Sequence, residues 1–116
     1  MDGVPSVETT GAGLGVVAHL HGEMDYVSAP LFRERLGQVI ARCDRFIVVE
    51  LTGVSFCDSA GLNVLLGARR VAEASGVELV LACVSLPLSR ILEMTGADQV
   101  LRVFDTVSDA EAALSG

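Results

Sequence analysis

"FIVVELTGVSFCDSAGLNVLLGARRVAEASG", residues 46–76, decides how this chain folds. Its opening "FIVVEL" (46–51) is short and β-branched, the composition of a strand buried on both faces. "TGVSF" (52–56) reads as a connection. From Ser59 onward the apolar residues return at helical spacing: Leu62, Leu65, Ala68 and Ala72 share one face. That predicts a core-facing helix from about Ser59 to Ser75, which Gly76 is placed to terminate. A buried strand followed directly by an amphipathic helix is the unit of an α/β protein.

The same alternation continues in both directions. Downstream, "VELVLACV" (77–84) is a second buried strand. "SLPLSRILEMTGA" (85–97) is a short helix started near a proline and stopped by a glycine. "QVLRVF" (99–104) is a strand of modest length, and "DTVSDAEAALSG" (105–116) a terminal helix with an acidic first turn that suits the macrodipole. Upstream, "GVVAHLHG" (15–22) is a strand, and "GEMDYVSAP" (22–30) a loop into a helix. Ser28 or a neighbour can cap that helix, and Pro30 fits its first turn. Phe32, Leu36, Val39, Ile40 and Cys43 line its apolar face. "VPSVET" (4–9) suits a short edge strand because Pro5 cannot sit in a central one, and "TGAGLG" (10–15) a loop. The order β-β-α-β-α-β-α-β-α implies an α/β fold, a mostly parallel or mixed sheet of about four to five strands with about four helices. No repeat, linker or low-complexity segment divides the chain. The expectation is one domain over residues 1–116, with 1–12 as an N-terminal segment.

Composition sets the chemistry that is available. About half of the 116 residues are apolar (51%), enough for a sizeable core, but with four Phe, one Tyr and no Trp that core is aliphatic. The net charge of −7 argues against nucleic acid and against an anionic membrane surface, while leaving room for a partner with a basic face. Cys43, Cys57 and Cys83 lie within or beside apolar runs and form no CxxC, so free buried thiols are expected. With no signal-like segment and no apolar stretch long enough to cross a bilayer, a soluble cytoplasmic protein is expected.

Enzyme signatures are missing. There is no GxxxxGK[ST] loop, no GxGxxG between strand and helix, and no HExxH. "CDSAG" is not GxSxG, since Cys57 stands two before the serine, and nothing places a histidine near Ser59 as a base. A phospho-aspartate receiver would need a lysine on the last strand, and "QVLRVFD" carries only Arg102. His19 and His21 share one strand face but have no third ligand, so no metal site is expected. No cofactor is expected.

What the helix from Ser59 offers is a surface. Ser59, Asn63, Leu66 and Arg70 stack along the side opposite the core face, with Gly67 beside them; Arg69 falls at the edge. Ser59 lies where free N–H groups and the positive dipole end accommodate an anion. A phosphate there would add roughly −1.5 to −2 charge to that surface, tolerable to the fold and costly to any partner that had to bury it. An ordinary exposed face with one surplus leucine has the same pattern.

Two segments carry a family resemblance. "GEMDYVSAPLF" (22–32) resembles the "GELD…aP" segment of STAS domains of the anti-sigma factor antagonist type, and "VVELTGVSFCDSAGLNVLL" (48–66) their "DLSGVxFxDSSGLxxLL" segment. The chain is similar to that family from about residue 13 to its end. Met24, Glu50 and Ala60 depart from the usual leucine, aspartate and serine. The resemblance implies helices packed mainly on one side of a mixed sheet. It implies a non-enzymatic protein that, unphosphorylated, binds and sequesters an anti-sigma factor serine kinase and so frees a sigma factor. It makes Ser59 the residue phosphorylated by that kinase and restored by a phosphatase, with Asp25, Asp58 and Gly61 as its neighbours in the motif. The partner-binding surface is then Asn63, Leu66, Gly67 and Arg70 with the Asp25 loop. A scaffold, or a transporter or sensor subunit, of the same fold is the alternative; a small-ligand module is a third.

Overall fold

A computed structural model describes residues 4–12 and 15–115. Part of the N-terminal segment and the middle of "TGAGLG" therefore lie outside the described residues. Five strands form one sheet in the order β1-β2-β3-β4-β5: β1 (Ser6–Ala12), β2 (Gly15–Met24), β3 (Phe46–Cys57), β4 (Glu78–Ala82) and β5 (Val103–Phe104). β1 is antiparallel to β2, with Ser6 opposite His21 and Gly11 opposite Val16; every other pairing is parallel. The helices are α1 (Ala29–Ile40), α2 (Ser59–Ala74), α3 (Leu86–Thr95) and α4 (Val107–Ser115).

Alternation along the strands divides the core in two. Ala18, Leu20, Met24, Ile47, Val49 and Leu51 face α1, α2 and α3, where they meet Phe32, Leu36, Leu62, Leu65, Leu88 and Leu92. Val17, Phe46, Val48, Val80 and Ala82 face the other way, toward α4 and its Ala110. Three helices on one side and a short one on the other make Phe46–Leu51 buried at every position, as expected of a strand covered on both faces. Each fully buried Leu, Ile or Phe contributes about 1.5–3 kcal/mol, so the three-helix side dominates the stability.

Helix ends follow the local sequence. α2 closes with Gly76 at φ +74°, its N–H bonded to the Glu73 carbonyl and that of Val77 to the Ala72 carbonyl, a Schellman arrangement. Ser85 caps α3 through the Leu88 N–H, and Gly96 ends it at φ +78°.

Several readings are corrected. "TGVSF" is not a connection: β3 runs on to Cys57, pairing with β2 as far as Met24 across two register shifts. A Cβ at Gly53, beside one shift, would run into the His21 ring and lie 2.8 Å from the Leu20 carbonyl; a glycine there marks a close backbone approach, not a turn. Thr10–Ala12 of "TGAGLG" belong to β1. β5 is two residues long instead of six, because the turn at Gly96 leads into a 3-10 turn over Ala97–Gln99. Ser28 holds the N-cap position of α1, but its side chain makes no capping bond; the Asp25 carboxylate accepts the Val27 and Ser28 N–H groups in the turn just before the helix. Of the thiols only Cys57 is buried, Cys43 and Cys83 being half-buried.

The α4 side of the sheet holds a buried charge. Glu50, 6% exposed, continues the Phe46–Val48 row. Its Oε1 pairs with His19 Nδ1 at 2.9 Å, its Oε2 accepts the Thr52 N–H at 2.6 Å, and Thr10 Oγ1 meets His19 Nε2 at 3.1 Å. The Glu50 side chain thus reaches two donors. Burial pushes the Glu50 carboxyl up, but the hydrogen bonds from Thr52 and His19 outweigh it and hold the group below the usual glutamate range. A lowered folded-state value means stability that is complete above the unfolded value of about 4.3 and is lost as pH falls through the folded one. Denaturant midpoints of the wild-type chain should fall on acidification from about pH 5. Glu50→Gln should start lower at neutral pH and fall less over the same range; parallel curves would show that Glu50 has no part in the acid response.

Candidate functional site

β2 and β3 end side by side. Met24 is paired with Cys57, the Asp58 N–H donates to the Met24 carbonyl at 3.2 Å, and the next residue on each strand is an aspartate. Neighbouring strands lie about 5 Å apart, so the Asp25 loop and the start of α2 form one surface at the carboxyl edge of the sheet. Open α/β sheets place their sites at that edge.

Each aspartate organises backbone. Asp25 Oδ1 accepts the N–H groups of Val27 (3.0 Å) and Ser28 (2.9 Å), and the Ser28 hydroxyl donates to the Glu23 carbonyl at 2.6 Å. The Ser28 N–H above all holds the Asp25 carboxyl below the ordinary aspartate range, because bonds to the charged form favour it. Asp58 is the N-cap of α2: its Oδ1 accepts from Ala60 (2.9 Å) and Gly61 (3.2 Å).

Ser59 is therefore the first helical residue and not the cap. It is exposed, and its hydroxyl makes no hydrogen bond among the described residues. The cap beside it has taken the N–H groups of Ala60 and Gly61, leaving the Ser59 oxygen facing water. Gly61 is buried behind it, where a Cβ would stand 2.6 Å from the Met24 carbonyl oxygen and 2.7 Å from Cys57 Sγ. Burial, then the Asp58 charge, push the Cys57 thiol up to about 11. At neutral pH it stays protonated and acts as packing.

Along α2, Asn63 and Arg70 are exposed, while Gly67 and Leu66 are half-buried. Leu66 is thus no surplus surface leucine: it packs against the edge of the larger core. Ser59 and Arg70 are eleven positions apart, about 16 Å along the helix, so the Arg70 end is well removed from the aspartates. Val64, unassigned by the periodicity, is buried because α1 packs on that flank. Arg69 pairs with Glu73 at 2.9 Å.

Three apolar residues at the carboxyl edge escaped the sequence reading. Tyr26 and Val27 stand exposed in the Asp25 loop, and exposed Phe56 lies three positions before Ser59. Large apolar residues in the very loop that carries the motif aspartate were the available signal. Phe56 also rims a cavity of about 290 Å³ against α3, lined by Val54, Cys57, Leu88 and Ile91. Among the described residues no three His, Cys, Asp or Glu side chains gather into a group that could hold a metal ion, and no helix is long and apolar enough to cross a membrane.

The mixed sheet thus presents Ser59 exposed on the first turn of α2, beside the Asp58 cap, at the edge that also carries the Asp25 loop. The STAS domain model matches residues 1–110. The anti-sigma F factor antagonist of Paenibacillus polymyxa is 30% identical over 97 residues, covering 82% of each chain. An anti-sigma factor antagonist from Mycobacterium paratuberculosis superposes with a TM-score of 0.83 at 24% identity, over 97% of this chain and 96% of that one. The anti-sigma factor antagonist SpoIIAA superposes in its unphosphorylated form with a TM-score of 0.76 at 23% identity, over 97% of each chain. Its phosphorylated form gives 0.67 at 23% identity, over 92% of this chain and 96% of that one. The chain belongs to the STAS-domain anti-sigma factor antagonist family, whose members are regulatory binding proteins and not enzymes.

Proposed function

We propose that this protein is an anti-sigma factor antagonist that binds an anti-sigma factor serine kinase when unphosphorylated, and that the kinase switches it off by phosphorylating Ser59. A phosphatase acting on that residue would reset it. The observation that carries the reading is the state of Ser59: exposed, with a hydroxyl that makes no hydrogen bond among the described residues, on the first turn of a helix whose capping is done by another residue. A hydroxyl used as a cap would lose its hydrogen bonds on modification; this one has none to lose. Asp25 and Asp58, fixed by their own backbone bonds, shape the ground on either side. Asn63, Leu66, Gly67 and Arg70 extend the docking surface down α2, and Tyr26, Val27 and Phe56 add apolar contact at its head. The relative named an anti-sigma F factor antagonist and the neighbour solved both with and without phosphate support the partner class. The net charge of −7 fits a cytoplasmic protein whose partners are proteins, with neither nucleic acid nor membrane as ligand.

Incubation with each anti-sigma factor serine kinase of the same genome and Mg-ATP, followed by peptide mass spectrometry, tests the site. A single phosphate on the Cys57–Arg69 stretch, absent from Ser59→Ala, is expected. Full modification of Ser59→Ala would remove Ser59 from the mechanism.

A further inference from the structure

We infer that the groove between α1 and α2 receives an acidic, amphipathic helix of the same kinase, as a second docking point well removed from Ser59. The inference rests on the function proposed above and extends the contact from α2 onto α1. The groove has a volume of about 250 Å³ and an apolar floor of Ile40, Val64 and Ala68. Val71, 50% exposed, rises at its side.

Two features of the groove have no explanation within the fold. The first is glycine. Gly37 on α1 and Gly67 on α2 both line it, in the interiors of their helices. A glycine there destabilises a helix relative to alanine. Neither has a positive φ. A Cβ at Gly37 would meet nothing within 4 Å, and one at Gly67 only Arg70 Nη2 at 3.9 Å. Neither the backbone nor the packing requires these glycines. Their effect is to keep a channel open to an approaching backbone.

The second is charge. Arg33 and Arg70 rim the groove from opposite helices, and neither forms an ion pair among the described residues. The charged residues that line the groove are both basic, on an acidic protein. On the two helices themselves Arg33, Arg35, Arg69 and Arg70 stand against Glu34 and Glu73, a net +2 on a chain of −7, and the two that line the groove are Arg33 and Arg70. An apolar trough between unpaired guanidinium groups selects an apolar ridge flanked by carboxylates. A helix laid in a groove is the form of partner that offers both.

The test is the affinity of the purified kinase for Gly37→Leu, Arg33→Glu and Ser59→Asp, alongside thermal melts. Gly37→Leu should melt no lower than wild type and bind at least about tenfold more weakly, since its side chain fills the trough. Arg33→Glu should weaken binding by a similar factor at low salt, and less as salt screens the contact. If both stay within twofold of wild type while Ser59→Asp binds weakly, the groove inference is overturned and the Ser59 reading stands. A wild-type chain that binds no such kinase overturns both. Should Gly37→Leu melt early, Arg33→Glu decides alone. Self-association of the wild-type chain that Gly37→Leu abolishes, with kinase binding intact, would make a second copy the occupant and overturn the kinase.

Discussion

Phosphorylation of Ser59 is expected to weaken kinase binding by about two orders of magnitude while moving the melting temperature by no more than about 2 °C. The two halves have separate physical causes. For the fold, the phosphate lands on the first residue of α2, where the dipole favours an anion by about 0.3–1 kcal/mol. The Asp58 carboxylate already occupies the nearest N–H groups and repels the newcomer. These small opposite effects nearly cancel. For the complex, about −1.5 to −2 charge units must be taken out of water against a surface fitted to a neutral hydroxyl. An unpaired buried charge costs several kcal/mol even after relaxation, and each ~1.4 kcal/mol is a tenfold loss. Calorimetric titration of kinase with wild-type, phosphorylated and Ser59→Asp chains measures it, with Ser59→Asp expected between the other two. Unchanged affinity would end the switch. A large fall in melting temperature would mean that the phosphate acts by unfolding instead.

Gly61→Ala should destabilise the protein by about 2–3 kcal/mol and Gly61→Val by more, whereas Gly67→Ala on the same helix should stabilise it by up to about 1 kcal/mol. A Cβ at Gly61 would lie 2.6 Å from the Met24 carbonyl oxygen, 2.7 Å from Cys57 Sγ and 2.8 Å from Met24 Cβ. Met24 cannot retreat freely, because it is fully buried and its carbonyl holds the Asp58 N–H. The strain therefore passes to the start of α2 and to Ser59. Denaturant titration of the three variants gives the comparison. Equal stability of Gly61→Ala and wild type would show that the helix start shifts freely and that Met24 does not fix it.

How much of this was legible beforehand follows from the range of the interactions. The helices were readable because their signals are local: the core spacing of Leu62, Leu65, Ala68 and Ala72, and the stops at Gly76 and Gly96. The site was readable in part. Ser59 and the two aspartates stand in motif segments, but which residue caps α2 did not follow from spacing, since Asp58 and Ser59 are both good caps. Hydrogen bonds in three dimensions assign the task to Asp58 and leave Ser59 free.

The amino-acid order alone determined the alternation of strands and helices, the two-sided burial of Phe46–Leu51, the family and the serine at the head of α2. These depend on neighbours within a few positions, or on motif residues adjacent in the chain. Only the tertiary structure decided that β3 continues through "TGVSF", that Glu50 finds His19, and that Gly37 and Gly67 face one groove with Arg33 and Arg70 on its rim. Each of those joins residues from separate elements, and no local periodicity carries the register of one strand or helix against another.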